Sequence, residues 1–348
     1  MRLAEIKGQD REVSALRRDL STGRMAPSYL FVGPEGVGKT TTAIAFAGLL
    51  LCKEGARGGE TEDGCGVCDA CRKVQAESHP DLMVVRRDGR FIKVGEYEKD
   101  RKRGDPPQIR QLIAAAQRKP YEGPVKVLVV DEAHRMNASA ANALLKTLEE
   151  PPPGTVIILT AAMLGALPQT VVSRCRVIRF RKLERSWLAS EVERLRGRSA
   201  EEARLVASFA DGRMDRALDA DPEEVFARRT KALDLLDAAL EGRTAAALKN
   251  VSGVGRPAEE AEALLDVFMS LVRDVRAVRG GAEPGFLVHE DLANELARHG
   301  SACTNKALDD LFDRARSFCA DIRLKNANPQ LGWESLLLTP KKPAAVGG

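Results

Sequence analysis

Aromatic residues are scarce in this chain, 4% of its 348 residues, and that leaves little material for the stacked platforms on which proteins hold unpaired bases. Charge of one sign is lacking as well. The 54 basic and 50 acidic residues leave a formal charge of only +4, so any contact with DNA has to come from local placement and not from bulk attraction. No apolar run approaches the ~20 residues of a membrane span, and the start, Met1-Arg2-Leu3-Ala4-Glu5, has no signal-peptide apolar region. These absences predict a cytoplasmic protein. Cysteine is sparse, seven residues in all, and in that compartment clustered thiols read as metal ligands sooner than as disulfides.

What is present is enough apolar material, 44% of residues, to bury a large core and to build two or three domains. The chemistry concentrates after a short apolar strand, Leu30-Phe31-Val32. There Gly33, Pro34, Glu35, Gly36, Val37, Gly38, Lys39 and Thr40 spell G-x-x-x-x-G-K-[ST], and Thr41 leads into an alanine-rich helix through Ile44, Phe46 and Ala47. The glycines let successive backbone N–H groups and the positive helix end converge on a polyphosphate. Lys39 is placed to reach the terminal phosphates and Thr40 to ligate Mg²⁺. A second apolar run, Val127-Leu128-Val129-Val130, ends in Asp131-Glu132. Such a run suits a strand buried on both faces of a parallel sheet. Asp131 at its carboxyl end would hold the magnesium through water, and Glu132 would polarise an attacking water. The expected cofactor is ATP with Mg²⁺.

Cys52, Cys65, Cys68 and Cys71 follow the spacing C-x12-C-x2-C-x2-C. Four thiolates suit a tetrahedral structural Zn²⁺ with no open coordination position, which would brace a loop and catalyse nothing. Four unrelated reduced thiols are the plain alternative. Cys175 stands apart and reads as a small core or loop residue, since no partnering histidine is evident.

Along the chain, Val13, Leu16 and Leu20 mark a first helix, and Leu82-Met83-Val84-Val85 a second strand after His79-Pro80-Asp81. Residues 86–105 are dense in mixed charge and read as a solvated insertion. A helix opens at Ile109. Another is capped by Asn137 and carries Ala141, Leu144, Leu145 and Leu148 on one face, with Pro151 to stop it. Val156-Ile157-Ile158-Leu159 and Val177-Ile178-Arg179-Phe180 are the remaining strands. Beyond Leu183 strand patterns vanish and helical spacing takes over, as in Leu264, Phe268, Leu271 and Val275, with a frayed tail after Leu338.

The P-loop, the cysteine set, His79-Pro80-Asp81, the segment Asn142-Ala143-Leu144-Leu145-Lys146-Thr147-Leu148-Glu149-Glu150-Pro151-Pro152 and Ser173-Arg174-Cys175 resemble, in order and spacing, the bacterial clamp-loader AAA+ subunits. The closing stretch Asn326-Ala327-Asn328-Pro329-Gln330-Leu331, with Glu334 and Leu336-Leu337-Leu338, is similar to that of the delta-prime branch. The motor branch, tau or gamma, is the near alternative; a free-standing P-loop kinase or a helicase is a distant one.

The resemblance implies an α/β P-loop NTPase (AAA+) domain over residues 1–180, with a parallel sheet and a zinc-binding insertion at 52–71. A helical lid at 181–220, an all-α collar at 221–340 and a flexible tail at 341–348 would follow. It implies partners, namely tau/gamma and delta subunits, the sliding clamp and primer-template DNA, in a hetero-oligomer without a membrane. It also implies that Arg174 acts in trans, as a finger on a neighbour's γ-phosphate, while a local carboxylate partner is the plain alternative for this arginine. Two departures from the family pattern bear on turnover. Ala161-Ala162 stand where sensing polar side chains are expected, and Gly212-Arg213-Met214-Asp215 carries aspartate where the family's lid arginine belongs, with Arg213 and Arg216 nearby. The expectation is nucleotide binding with weak hydrolysis.

Overall fold

The computed structural model describes residues 2–54, 63–89, 91–95, 107–241, 258–325 and 327–338. It divides into two compact units, Met1–Leu188 with Gly212–Arg216, and Ala189–Asp211 with Ala217–Gly348.

The first unit is built on five strands, β1 (Ser28–Val32), β2 (Leu82–Val85), β3 (Lys126–Val130), β4 (Thr155–Ala161) and β5 (Arg176–Arg179). They form one sheet in the order β2-β3-β4-β1-β5, parallel at each pairing. The three central strands are buried along their whole length, which is why their sequences are continuous apolar runs. The period of two still sorts their side chains. Tyr29 and Phe31 join a core with Phe46 and Leu50 on one face. Leu30 and Val32 join Leu112, Leu144 and Leu148 on the other.

Helix α1 (Asp10–Ser21) leads into β1, and α2 (Lys39–Leu51), α3 (Asp69–Gln75), α4 (Ile109–Ala116), α5 (Ala138–Glu149) and α6 (Gln169–Val172) connect the strands. Asn137 caps α5 as expected, its Oδ1 accepting from Ala140 N at 2.8 Å. The buried Lys126 closes the far end of α4, donating to the carbonyls of Ala115 and Arg118 at 2.8 and 2.9 Å, where the helix dipole favours a cation.

Most described residues of the expected solvated insertion after β2 are exposed, Arg86 to Gly89, Phe91 and Lys93 among them, but Ile92 departs from it. Ile92 is 1% exposed and packs in the second core. Its N–H donates to Arg135 O at 2.9 Å and its carbonyl accepts from Asn137 N at 3.2 Å. A buried isoleucine with both backbone groups paired outweighs the charge around it. Residue 90 and residues 96–106 of that stretch, Asn326, and the tail from 339 lie outside the described residues.

The second unit is helical. Its main helices are α8 (Ala200–Phe209), α10 (Pro222–Glu241), α11 (Ala258–Arg279), α12 (Ala293–Ala302), α13 (Asn305–Lys325) and α14 (Pro329–Leu338). They enclose one core in which Trp333 is fully buried, edge-on to Phe268 and Phe318. Among the described residues, α7 (Arg185–Arg196) and α9 (Met214–Asp219) are further α-helices.

Candidate nucleotide site and cysteine cluster

The carboxyl ends of β2, β3, β4 and β1 lie side by side, because Val85 is in register with Val130, Leu159 with Val130, and Ala161 with Val32. The residues just beyond them therefore meet, at the edge where parallel α/β sheets place their ligands. Gly33 N donates to Ala161 O at 3.1 Å. A side chain at Gly33 would clash with the chain after β5, since a Cβ there would stand 2.4 Å from Phe180 O. Gly36 and Gly38 hold positive φ, +69° and +91°, and Gly38 is the N-cap residue from which α2 springs. Gln9, 1% exposed, steadies the loop from behind. Its amide donates to Val37 O at 3.3 Å and Arg181 O at 2.8 Å.

Lys39 is buried and donates to the carbonyls of Gly33 and Pro34 at 2.7 and 2.5 Å. Burial lowers its pKa, and Glu35, Asp131 and Glu132 pull the other way. Thr40 donates to Asp131 Oδ1 at 2.5 Å, so the two expected magnesium ligands, one from each motif, do come together. Glu132 is strained, at φ +50°, and its N–H donates to Thr160 Oγ1 at 2.9 Å.

Three residues of this site escape a reading by motif. Thr160 donates to Asp131 Oδ1 at 2.7 Å; the only signal was one polar residue in an apolar strand. Arg87 pairs with Glu132, Nε to Oε2 at 2.9 Å. Arg86 chelates Glu77 at 2.6 and 2.7 Å and stands 4.0 Å from Asp131. Glu132 thus faces a guanidinium, which competes with any water for its carboxylate.

Arg174 follows α6 and is half-buried. Its guanidinium donates to Glu149 Oε1 at 2.5 Å and to Thr170 O at 2.8 Å. The local carboxylate partner is therefore real. Thr41 lies within α2, and Ala161 ends β4 with only its backbone engaged at the loop. Cys175 is a partly buried loop residue against the second core, its thiol pushed up to about 12 by burial.

Cys52 caps the end of α2, Cys65 and Cys68 lie in the following loop, and Cys71 is in α3. All four are free thiols whose sulfurs lie within 4.8 Å of one another. Cys52 and Cys68 are 4.0 Å apart, and Cys65 and Cys71 3.9 Å. A disulfide would need ~2.05 Å, whereas a tetrahedron with ~2.3 Å metal–sulfur bonds sets its sulfurs ~3.8 Å apart. The N–H groups of Cys65 and Cys68 donate to Cys52 and Cys65 sulfurs, each at 3.3 Å. The group could hold a metal ion. Asp63 anchors the loop to the N-terminal segment, accepting from Leu3 N at 3.0 Å, Ala4 N at 2.6 Å and Arg17 at 3.1 Å.

The delta-prime subunit of DNA polymerase III from Bacillus subtilis is 28% identical over 305 residues, 86% of each chain. That of Pseudomonas aeruginosa is 37% identical over 150 residues, 43% of this chain and 42% of its own. The tau subunit of Salmonella typhimurium is 34% identical over 220 residues, 62% of this chain; the match spans about a third, 32%, of tau itself. A family profile described as "DNA polymerase III, delta subunit" matches residues 8–184, half of the chain, and the chain belongs to that family.

Proposed function

We propose that this chain is a delta-prime-type subunit which helps ATP-dependent loading of a sliding clamp onto primed DNA, alongside tau/gamma and delta subunits in the cytoplasm. The observation that carries the reading is extent. The likeness to a delta-prime subunit runs through 86% of both chains and so includes the helical second unit, whereas the likeness to tau covers 62% of this chain. The three-part division into nucleotide domain, lid and collar, with the collar after about residue 220 joining the partners, belongs to the same proposal.

In this reading the P-loop residues and Thr41 bind ATP, and Thr40 with Asp131 would hold Mg²⁺. The four cysteines would hold a Zn²⁺ whose part is to fix the loop after α2. Turnover here is weak, because Arg87 engages Glu132 and Ala161-Ala162 offer no side-chain hydrogen bond to phosphate or water. Arg174 serves a neighbouring subunit. Exchanging Glu149 for a γ-phosphate costs little at a half-exposed ion pair, and a guanidinium fixed where negative charge develops is worth about 10³ or more at the site it serves.

The full Walker set keeps one rival open, the motor subunit. Both are tested by reconstituting the chain with tau/gamma and delta subunits and measuring ATP hydrolysis. Arg174→Ala should reduce DNA- and clamp-stimulated hydrolysis by the complex while nucleotide binding by the lone chain is unchanged. Lys39→Ala should weaken binding by this chain with little loss of total hydrolysis. Vigorous hydrolysis by the isolated chain, abolished by Lys39→Ala, would make it a motor.

A further inference from the structure

We propose that Asp237, Glu295 and His299 form a metal site in the helical unit, separate from the four cysteines, which takes an exchangeable divalent ion of the Zn²⁺ class and leaves a coordination position open to water.

The three residues come from two helices. Glu295 and His299 stand four apart on α12, hence one above the other on a single face. Asp237 reaches them from near the end of α10. Packing fixes both backbones. Leu236 and Ala238, on either side of Asp237, are buried in the helical core, and so are Leu240 and Leu296. Gly300, next to His299, lies against α11, where a Cβ would stand 3.4 Å from both Val275 O and Arg279 Cβ; its carbonyl accepts from Arg279 Nη1 at 2.6 Å. The side chains are thereby gathered, with the ligand atoms of all three within 4.8 Å of one another. His299 Nε2 is 2.8 Å from Asp237 Oδ1, an oxygen closed to solvent, while the imidazole is 12% exposed and the aspartate side chain 36%.

This donor set suits a transition-metal ion. One imidazole and two carboxylates are the ligand types of zinc sites that keep three protein ligands and one open position. The imidazole argues against Mg²⁺ and Ca²⁺, which take oxygen. Two carboxylates this close repel each other unless positive charge lies between them. A protonated His299 cancels one of those charges, and a divalent ion cancels both. Metal–ligand bonds of about 2.0–2.2 Å set tetrahedral ligand atoms roughly 3.4 Å apart, so Asp237 and His299 need part by only about 0.6 Å. Glu295, partly exposed on a flexible stem, closes in from its own turn of the helix. The ion then clips α10 to α12. With three ligands and no thiolate it is held less tightly than an ion among four cysteines, so it is gained and lost by titration and not carried through purification.

A plain His299–Asp237 ion pair would join the same helices without any response to metal, and that difference is what the test reads. The full chain, its histidines labelled with ¹⁵N, is titrated with Zn²⁺ and followed through its four imidazoles. The signal missing from His299→Gln should shift, with a stoichiometry of one beyond what the cysteines take. Calorimetry should show that equivalent disappear in His299→Gln. Glu295→Gln leaves the His299–Asp237 contact in place, yet it should weaken the uptake by at least the about 10–100-fold that loss of even an outer partner brings to a metal site. Mg²⁺ in place of Zn²⁺ should leave the His299 signal unmoved. Should His299→Gln fail to fold by thermal melting, Glu295→Gln and Asp237→Asn carry the same expectation in calorimetry. A His299 signal indifferent to excess Zn²⁺, an equal response to Mg²⁺, or uptake of wild-type strength in Glu295→Gln and Asp237→Asn overturns the proposal.

Discussion

At Asp131 one carboxylate oxygen accepts from Thr40, Thr160 and the N–H of Glu132, so this carboxylate is fully oriented while the neighbouring Glu132 is held by Arg87. If that ion pair restrains turnover, Arg87→Ala should raise ATP hydrolysis by the lone chain about tenfold, well inside what a freed general base can contribute. Adding Glu132→Gln should cancel the gain, and unchanged rates in Arg87→Ala would place the restraint elsewhere. Asp81 behaves differently. Burial raises its pKa, but the N–H groups of Tyr121, Glu122 and Gly123, at 2.5, 2.8 and 2.8 Å, outweigh burial and hold it below its ordinary value of 3.8. A depressed carboxylate contributes stability above its unfolded pKa and loses it as pH falls through the folded one. Asp81→Asn should therefore cost about 1–3 kcal/mol at pH 7 and flatten the loss of stability below about pH 4. Chemical denaturation at pH 7 and pH 3 measures both, and a variant as acid-sensitive as wild type would contradict this account.

Elements show why some of the site was legible and some was not. β1, β3 and β4 announce themselves as apolar runs, the P-loop and Asp131-Glu132 are attached to them, and Asn137 has the residue type and place of a helix cap. Arg86, Arg87 and Thr160 gave no such sign. Their role follows from sheet order and register, which set the ends of β2 and β4 beside that of β3, and strand order is a property of the folded whole. The Arg213–Glu35 pair spans 178 residues of sequence, beyond any local pattern. Ile92 was hidden by its charged neighbours. In α14 local propensity gives the wrong sign altogether. Helical Gly→Ala usually gains about 0.5–1 kcal/mol, but a Cβ on Gly332 would lie 1.8 Å from Phe318 Cε2. Overpacking of this kind costs about 1–3 kcal/mol, so Gly332→Ala should lower the melting temperature, and a rise would show that Phe318 yields freely.

For the molecule as a whole, the cysteine cluster ties the end of α2 to α3, and Asp63 ties the same loop to Leu3, Ala4 and Arg17. Elemental analysis should find about one zinc per chain, lost when Cys68 and Cys71 are both replaced by serine. Stripping it with a chelator should loosen the N-terminal segment, seen as faster amide exchange at Leu3, Ala4 and Gly64; zinc content unaffected by the double replacement would remove the assignment. The chain has two tryptophans, and they fall in different units. Trp187 is partly exposed, with its ring 3.6 Å from where a Gly8 Cβ would stand, while Trp333 is sealed among the rings of Phe268 and Phe318. Ultraviolet emission is thus split into two colours, a red-shifted component from the nucleotide unit and a blue one from the helical unit. With Trp187→Phe the residual blue light follows the helical unit alone through a melt, and the difference from wild type follows the other. Without any attached dye, the protein reports which of its halves lets go first.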